Sequence, residues 1–225
     1  MCARDIVGMK NNKKRDFDKE ADSWDDKPMR VNLANDVSKS ILREIVLTKD
    51  MDVLDFGCGT GLVSLQLQPL VRSVSGFDSS RGMLNVFKKK IAQQRISGVE
   101  VHHLDLDNGD CLDGQFHLAV SSMTLHHIKD IRPLIDQFYK VLLPSGYLCL
   151  ADLDPDNGRF HDTDDGIIHY GFDREALRSV LKQAGFTYVR DVQAAEVFKT
   201  RADGVARKFS VFLMIGRKNE EVSEV

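Results

Sequence analysis

A chain of 225 residues, 42% hydrophobic and 29% charged, suffices for one α/β domain with a buried core and leaves no comfortable room for two. A net charge of −3 with a pI near 6.2 provides no global basic field and argues against a nucleic-acid partner. The four cysteines, Cys2, Cys58, Cys111 and Cys149, show no paired spacing, which argues for a reducing compartment and against a zinc motif.

In chain order, residues 1–15 are polar and basic and read as a frayed start that is no signal peptide. No apolar run approaches membrane-spanning length, so a cytoplasmic protein is expected. Residues 17–29 place Trp24, the single tryptophan, among many charges. From Val31 to Val46 apolar residues recur at helical spacing (Val31, Ala34, Val37, Ile41, Leu42, Ile45), and residues 1–46 read as an N-terminal helical cap segment. Strands and helices then alternate: strand near 51–55, helix 60–67, strand 73–78, helix 80–94, strand 99–104, strand 116–122, helix 131–142 and strand 146–151. After a polar stretch come helix 173–184, strand 186–193 and a last apolar strand within 205–217. Such alternation predicts an α/β fold, a three-layer sandwich with a mostly parallel seven-stranded sheet, over residues 47–218. Residues 219–225 form an acidic tail.

The most informative segment is Val53-Leu-Asp-Phe-Gly-Cys-Gly-Thr-Gly61, a buried strand turning through a glycine loop toward a helix. Only residues without Cβ let backbone approach a ligand this closely and take positive φ. Dinucleotide, nucleotide and S-adenosylmethionine (SAM) sites all use such loops, and local charge separates them. No Lys or Arg occurs from Val53 to Gln68, and Leu62 stands where a Walker loop needs lysine. Asp55 would repel a phosphate yet tolerates a ligand bearing an ammonium and a sulfonium. SAM is the expected ligand. About twenty residues on, a second strand ends in Asp78, the spacing at which an acid meets ribose hydroxyls. A helix cap is the alternative role for Asp78.

With Gly76-Phe-Asp78-Ser-Ser, His103-Leu-Asp105-Leu-Asp-Asn, Phe116-His-Leu-Ala-Val-Ser-Ser122 leading into Leu125-His-His-Ile128, and Leu143-Pro-Ser-Gly-Tyr-Leu148, the chain resembles the class I SAM-dependent methyltransferase family from about Val31 to Lys218. The resemblance implies a Rossmann-like sheet whose last strand inserts antiparallel, with SAM as methyl donor and S-adenosylhomocysteine as product. It implies that Asp55, Gly57, Gly59 and Gly61 lie against the methionine and ribose, Asp78 on the ribose, Asp105 on the adenine amino group and Ser121 beneath the sulfonium. Cys58, Thr60, Ser79, Met83 and Leu106 complete the expected cofactor contacts.

Two stretches read as additions around the site mouth. Residues 152–170 are rich in aspartate, and are either a solvated loop or a lid offering His161, His169 and Tyr170 to the acceptor. Their acidity favours cationic or neutral acceptors. In the N-terminal segment Trp24 could cover the methionine end of SAM while Arg30 pairs its carboxylate, with plain packing the alternative for Trp24. Methyl transfer from a sulfonium is mainly alignment, but a protonated acceptor needs a base. His126 is the candidate for that base, and His127 is expected to act mainly through stability; packing is the alternative for both. Asp152-Leu-Asp154 hints at a metal, but no matching Asp-Asn pair follows, so none is expected. The expected reaction is transfer of a methyl group to an O, N or S nucleophile of a small-molecule acceptor. A tRNA or protein acceptor and a non-catalytic SAM-binding role are the alternatives. The alternate-position glycines argue against a nicotinamide enzyme.

Overall fold

In the computed structural model the described residues are 15–200 and 204–220, so the expected frayed start (1–14) and most of the acidic tail (221–225) lie outside them. Seven strands, β1 (Asp52–Phe56), β2 (Ser73–Asp78), β3 (Val99–His103), β4 (Phe116–Ser122), β5 (Leu142–Leu153), β6 (Thr187–Thr200) and β7 (Ala206–Arg217), form one sheet in the order β3-β2-β1-β4-β5-β7-β6. The first five run parallel; β7 lies antiparallel between β5 and β6, as in Leu150 opposite Met214 and Val192 opposite Leu213. This is the expected mostly parallel sheet with an antiparallel last strand.

Side chains alternate across a strand, so neighbours serve different cores. Val53, Leu118, Val120 and Leu213 pack with Val37 and Ile41 of α2 (Pro28–Glu44). Leu54, Ala119, Leu150 and Met214 pack on the other face with Phe138 of α5 (Ile131–Val141) and Leu181 of α6 (Arg174–Gln183). Both faces are covered, which is why these strands are almost wholly apolar.

Several boundaries differ from the expected ones. The helix after β1 is a single turn, α3 (Ser64–Leu67), continued by a 3-10 turn at Gln68–Leu70. Residues 57–61 belong to the glycine loop, and Pro69 supplies no amide to extend the helix. α2 starts at Pro28, whose fixed φ suits a first helical turn, and stops at Glu44. β5 starts early, at Leu142, through a bulge in which the pairing moves from Phe116–Leu142 to Leu118–Tyr147. β6 continues to Thr200 because β7 remains beside it. A short helix α1 (Phe17–Glu20) and a 3-10 turn (Ala21–Ser23) precede α2. No apolar period marks them in the sequence.

The order reverses between β1 and β4, and α4 (Arg81–Gln94) follows β2. The carboxyl ends of β1, β2, β3, β4 and β5 therefore share one edge, where an open α/β sheet has its ligand crevice.

Candidate functional site

The glycine loop hangs from the end of β2: the amides of Gly57 and Cys58 donate to the Phe77 carbonyl at 2.8 and 3.1 Å. Its glycines have different reasons. A Cβ on Gly57 would stand 2.1 Å from Thr124 Oγ1, and one on Gly61 2.3 Å from the Phe87 ring. At Gly59, with φ of 53°, nothing lies within 4 Å of that position. Packing excludes side chains at the first and third; the middle glycine borders open space.

Asp78 bridges this loop to the next element. Its two oxygens accept the amides of Gly59 and Ser80, each at 2.8 Å. The cap of α4 is the Ser80 hydroxyl, which accepts the Met83 amide at 3.1 Å. Burial raises the Asp78 carboxyl above its ordinary value against the pull of those amides. Asp55 is buried at the end of β1 and accepts the Ser64 hydroxyl at 2.5 Å. Burial, opposed by that bond and helped by the Asp78 charge, lifts it to about 6. Asp105 opens a 3-10 turn after β3 and accepts the Asp107 amide at 3.0 Å, with Leu106 half-buried beside it. The Leu104 amide ties that end to the Asp78 carbonyl at 3.0 Å. Ser121, opposite Phe56 at the end of β4, has a buried hydroxyl oxygen with no protein partner.

The remaining expected cofactor contacts are placed differently. Met83 is a core side chain, 2% exposed. The Cys58 thiol is buried, which pushes its pKa well up. Ser79 is exposed, its carbonyl 3.1 Å from His103 Nε2. Thr60 turns to the N-terminal segment, donating to Asp25 at 2.6 Å, while its carbonyl accepts Lys90 Nζ at 2.8 Å. Lys90 is a cation that the local sequence did not show; it is ion-paired with Asp25.

The N-terminal segment lies against the glycine loop and α4. Asp18 accepts the Ser80 hydroxyl at 2.5 Å and the Gly82 amide at 2.8 Å. Arg30 stacks 3.4 Å above the Trp24 ring and pairs with Glu20 at 2.8 Å. Arg15 grips the same carboxylate through two 2.7 Å bonds and, mainly by doing so against burial, holds it at about 2. Both Trp24 and Arg30 thus already have protein partners.

His126 is buried, and its Nδ1 lies 2.8 Å from Asp152, itself fully buried. Its ring stands 4.2 Å from that of His127 and 4.8 Å from that of His161. His127 donates through Nδ1 to the Gly166 carbonyl at 2.7 Å. Burial first, then the His126 charge, pushes both His127 and His161 down to about 3. Asp152 was not singled out as a partner for His126. The signal was its place inside the apolar run Leu148–Leu153, where a buried acid needs a donor.

The 154–172 connection is solvated over residues 162–165 but anchored on either side of them. Phe160 and Ile167 are buried, and the Asp156 carboxylate accepts the Gly158 and Phe160 amides at 2.9 and 2.6 Å. Arg174 grips Asp154 with bonds of 2.7 and 2.6 Å, and Lys199 pairs with Asp162 at 3.0 Å. His169 serves the backbone, with Nε2 2.9 Å from the Ile128 carbonyl, and Tyr170 is 41% exposed at the surface. Among the described residues no cluster of three or more His, Cys, Asp or Glu has the geometry to hold a metal, and no helix is long and apolar enough to cross a membrane.

This strand order, with a glycine loop after β1 and an acid ending β2, defines the class I SAM-dependent methyltransferase fold. The chain belongs to the family described as methyltransferase domain, whose model matches residues 29–191. An uncharacterized methyltransferase of Schizosaccharomyces pombe is 31% identical over 182 residues, 74% of this chain; the chain spans 64% of that relative's length. A chain from a Haloferax volcanii complex containing the Trm112 methyltransferase activator superposes with a TM-score of 0.74 at 18% identity, covering 92% of this chain and 99% of that one. The Haemonchus contortus phosphoethanolamine N-methyltransferase 2 in complex with SAM gives 0.66 at 15% identity, covering 91% of this chain and 60% of that one. These structures share the fold.

Proposed function

We propose that this chain binds SAM in the crevice bordered by Gly59, Asp78, Asp105 and Ser121, and transfers its methyl group to an O, N or S nucleophile of a small-molecule acceptor. The observation that carries the proposal is the open side of Gly59 next to the Asp78 carboxylate. A backbone surface without side chain and a carboxylate fixed by two amides suit the ribose and methionine portions of a nucleoside cation. The buried, unpartnered Ser121 hydroxyl supports the fit, since such a group is costly unless a ligand meets it.

When bound, SAM supplies a methyl group already activated on a sulfonium. The chain's own work is to hold it, to exclude water and to line up the nucleophile. Asp55 and Asp78 place negative charge around the loop, which suits an ammonium and a sulfonium and repels phosphate. The N-terminal segment, fastened through Asp18 and Asp25, covers the loop from outside. His126 stands beyond the end of β4 as the group able to take an acceptor proton.

Titration calorimetry tests the donor assignment: SAM and S-adenosylhomocysteine should bind, NAD and ATP should not. NAD binding as tightly as SAM would overturn it. Release of S-adenosylhomocysteine in an acceptor screen then separates an enzyme from a binding protein.

A further inference from the structure

β3 ends the sheet on one side, with β2 its single neighbour. The Val74 amide donates to the Gly98 carbonyl at 2.8 Å and the Leu104 amide to the Asp78 carbonyl at 3.0 Å, which fixes the parity of this parallel ladder. Gly98, Glu100, His102 and Leu104 therefore face β2. The amides and carbonyls of Val99, Val101 and His103 point outward, and no described residue hydrogen-bonds them.

Sheet edges are commonly blunted by bulges, lysine or proline. The opposite edge, β6, follows that rule. Its pairing with β7 shifts between Thr187 and Arg190 and again between Gln193 and Ala195, and Tyr188 takes φ of 48° within the first shift. β3 instead keeps an unbroken register from Val99 to His103 and contains neither proline nor lysine. Beside it an open groove of about 430 Å³ runs along α4, lined by Ile91, Ala92, Val99 and Val101 together with Lys88.

The charges of the strand say what fits it. Glu100 and His102 are exposed and 3.6 Å apart, and His102 stacks on Phe77 with ring centroids 5.0 Å apart. A two-fold axis through Val101 brings a second β3 alongside antiparallel, with Val101 against Val101 and Val99 against His103, so that the outward amides and carbonyls of both strands pair. The same register sets Glu100 of each copy opposite His102 of the other, at the close positions between hydrogen-bonded pairs where opposite charges attract. A slip of two residues either way would set Glu100 against Glu100 or His102 against His102.

We propose that the β3 edge is a dimerisation surface, at which a second copy of this chain adds its own β3 antiparallel about Val101 and joins two sheets into one. Val99 and Val101 of the second copy then cover the groove. The surface is small, with five residues of strand from each copy, and two Lys88 side chains share it, so the association is weak and forms at high protein concentration. It does not depend on what the crevice binds.

Sedimentation velocity of the full chain tests this. Between about 5 and about 300 µM the weight-average mass should rise from 25.4 kDa toward twice that value, as a small interface requires. Val101→Pro removes an outward amide and no bond to β2, so it should keep the wild-type circular dichroism and stay at 25.4 kDa at every concentration. Glu100→Lys should raise the dissociation constant about tenfold by setting like charges opposite, and adding His102→Glu should return it to within about threefold of wild type. A merely damaged strand would not recover in this way, so the charge pair decides if Val101→Pro does not fold. A wild type that stays monomeric at the highest concentration overturns the proposal and leaves the edge to a strand of another protein. A dimer that survives both Val101→Pro and Glu100→Lys, or a double variant no tighter than Glu100→Lys alone, overturns it as well.

Discussion

At the scale of single residues, Asp78 joins two backbone elements through one carboxylate. Asp78→Ala removes the acceptors of the Gly59 and Ser80 amides and the charge presented to the ligand. SAM binding should weaken by roughly 2–4 kcal/mol through lost charge-assisted bonds and stranded donors. The fold should persist, because Ser80 caps α4 independently. Calorimetry giving an affinity within threefold of wild type would show that Asp78 only braces the loop. The glycine run and Asp78 were readable in the sequence because their chemistry is local: φ, missing Cβ atoms and an acid at a strand end. The pairing of His126 with Asp152 was not readable. It joins positions 26 residues apart across neighbouring strand ends, and no period in the sequence connects them.

At the scale of elements, the strands and longer helices were legible from apolar periodicity, since burial of one or both faces writes itself into every second or every third and fourth residue. α1 and its 3-10 turn escaped because only Ala21 is buried in them; they are held by ion pairs and by Asp18 on α4. The 154–172 connection escaped for a related reason. Its anchors, Arg174 and Lys199, are supplied by α6 and β6, so the fastening of Asp154 and Asp162 could not be read from the segment taken alone. The N-terminal segment invites a test as a fastening. Replacing both Asp18 and Asp25 by Ala removes its bonds to Ser80, Gly82 and Thr60 while leaving the sheet untouched. SAM release in stopped flow should become about tenfold faster, the equivalent of ~1.4 kcal/mol. A release rate within twofold of wild type would mean that the segment does not retain the ligand.

At the scale of the whole molecule, the titrating groups combine into a stability profile. His127 and His161 fold with pKa values of about 3, far below the ordinary value near 6.5, so from there down to about 3 the unfolded chain binds protons that the fold refuses. Stability contributed by keeping them neutral is present above about 6.5 and is lost as pH falls. Asp55 and Asp78 run the other way: Asp55, raised to about 6, favours the fold as pH drops from 6 toward the ordinary carboxylate range, and Asp78, raised by burial, adds to it. The histidines begin to take protons in the unfolded chain at a higher pH, near 6.5, which gives a net loss at pH 5, and the lowered carboxyls of Glu20 and Asp152 deepen it at still lower pH. Thermal unfolding should therefore occur at lower temperature at pH 5 than at pH 7.5. An equal or higher Tm at pH 5 would contradict the buried, neutral state of the two histidines.

The position of β7 has a consequence for biosynthesis. Val211, Phe212, Leu213 and Met214 are fully buried between β5 and β6, although this strand is translated after both of its neighbours. Until residues 206–217 have left the ribosome, β5 and β6 each present an open ladder of amides and carbonyls flanked by apolar side chains, the surface that recruits other nascent chains. A polypeptide released before position 206 would carry every residue of the glycine loop and both members of the Asp152–His126 pair. It would still reach the insoluble fraction instead of the ligand.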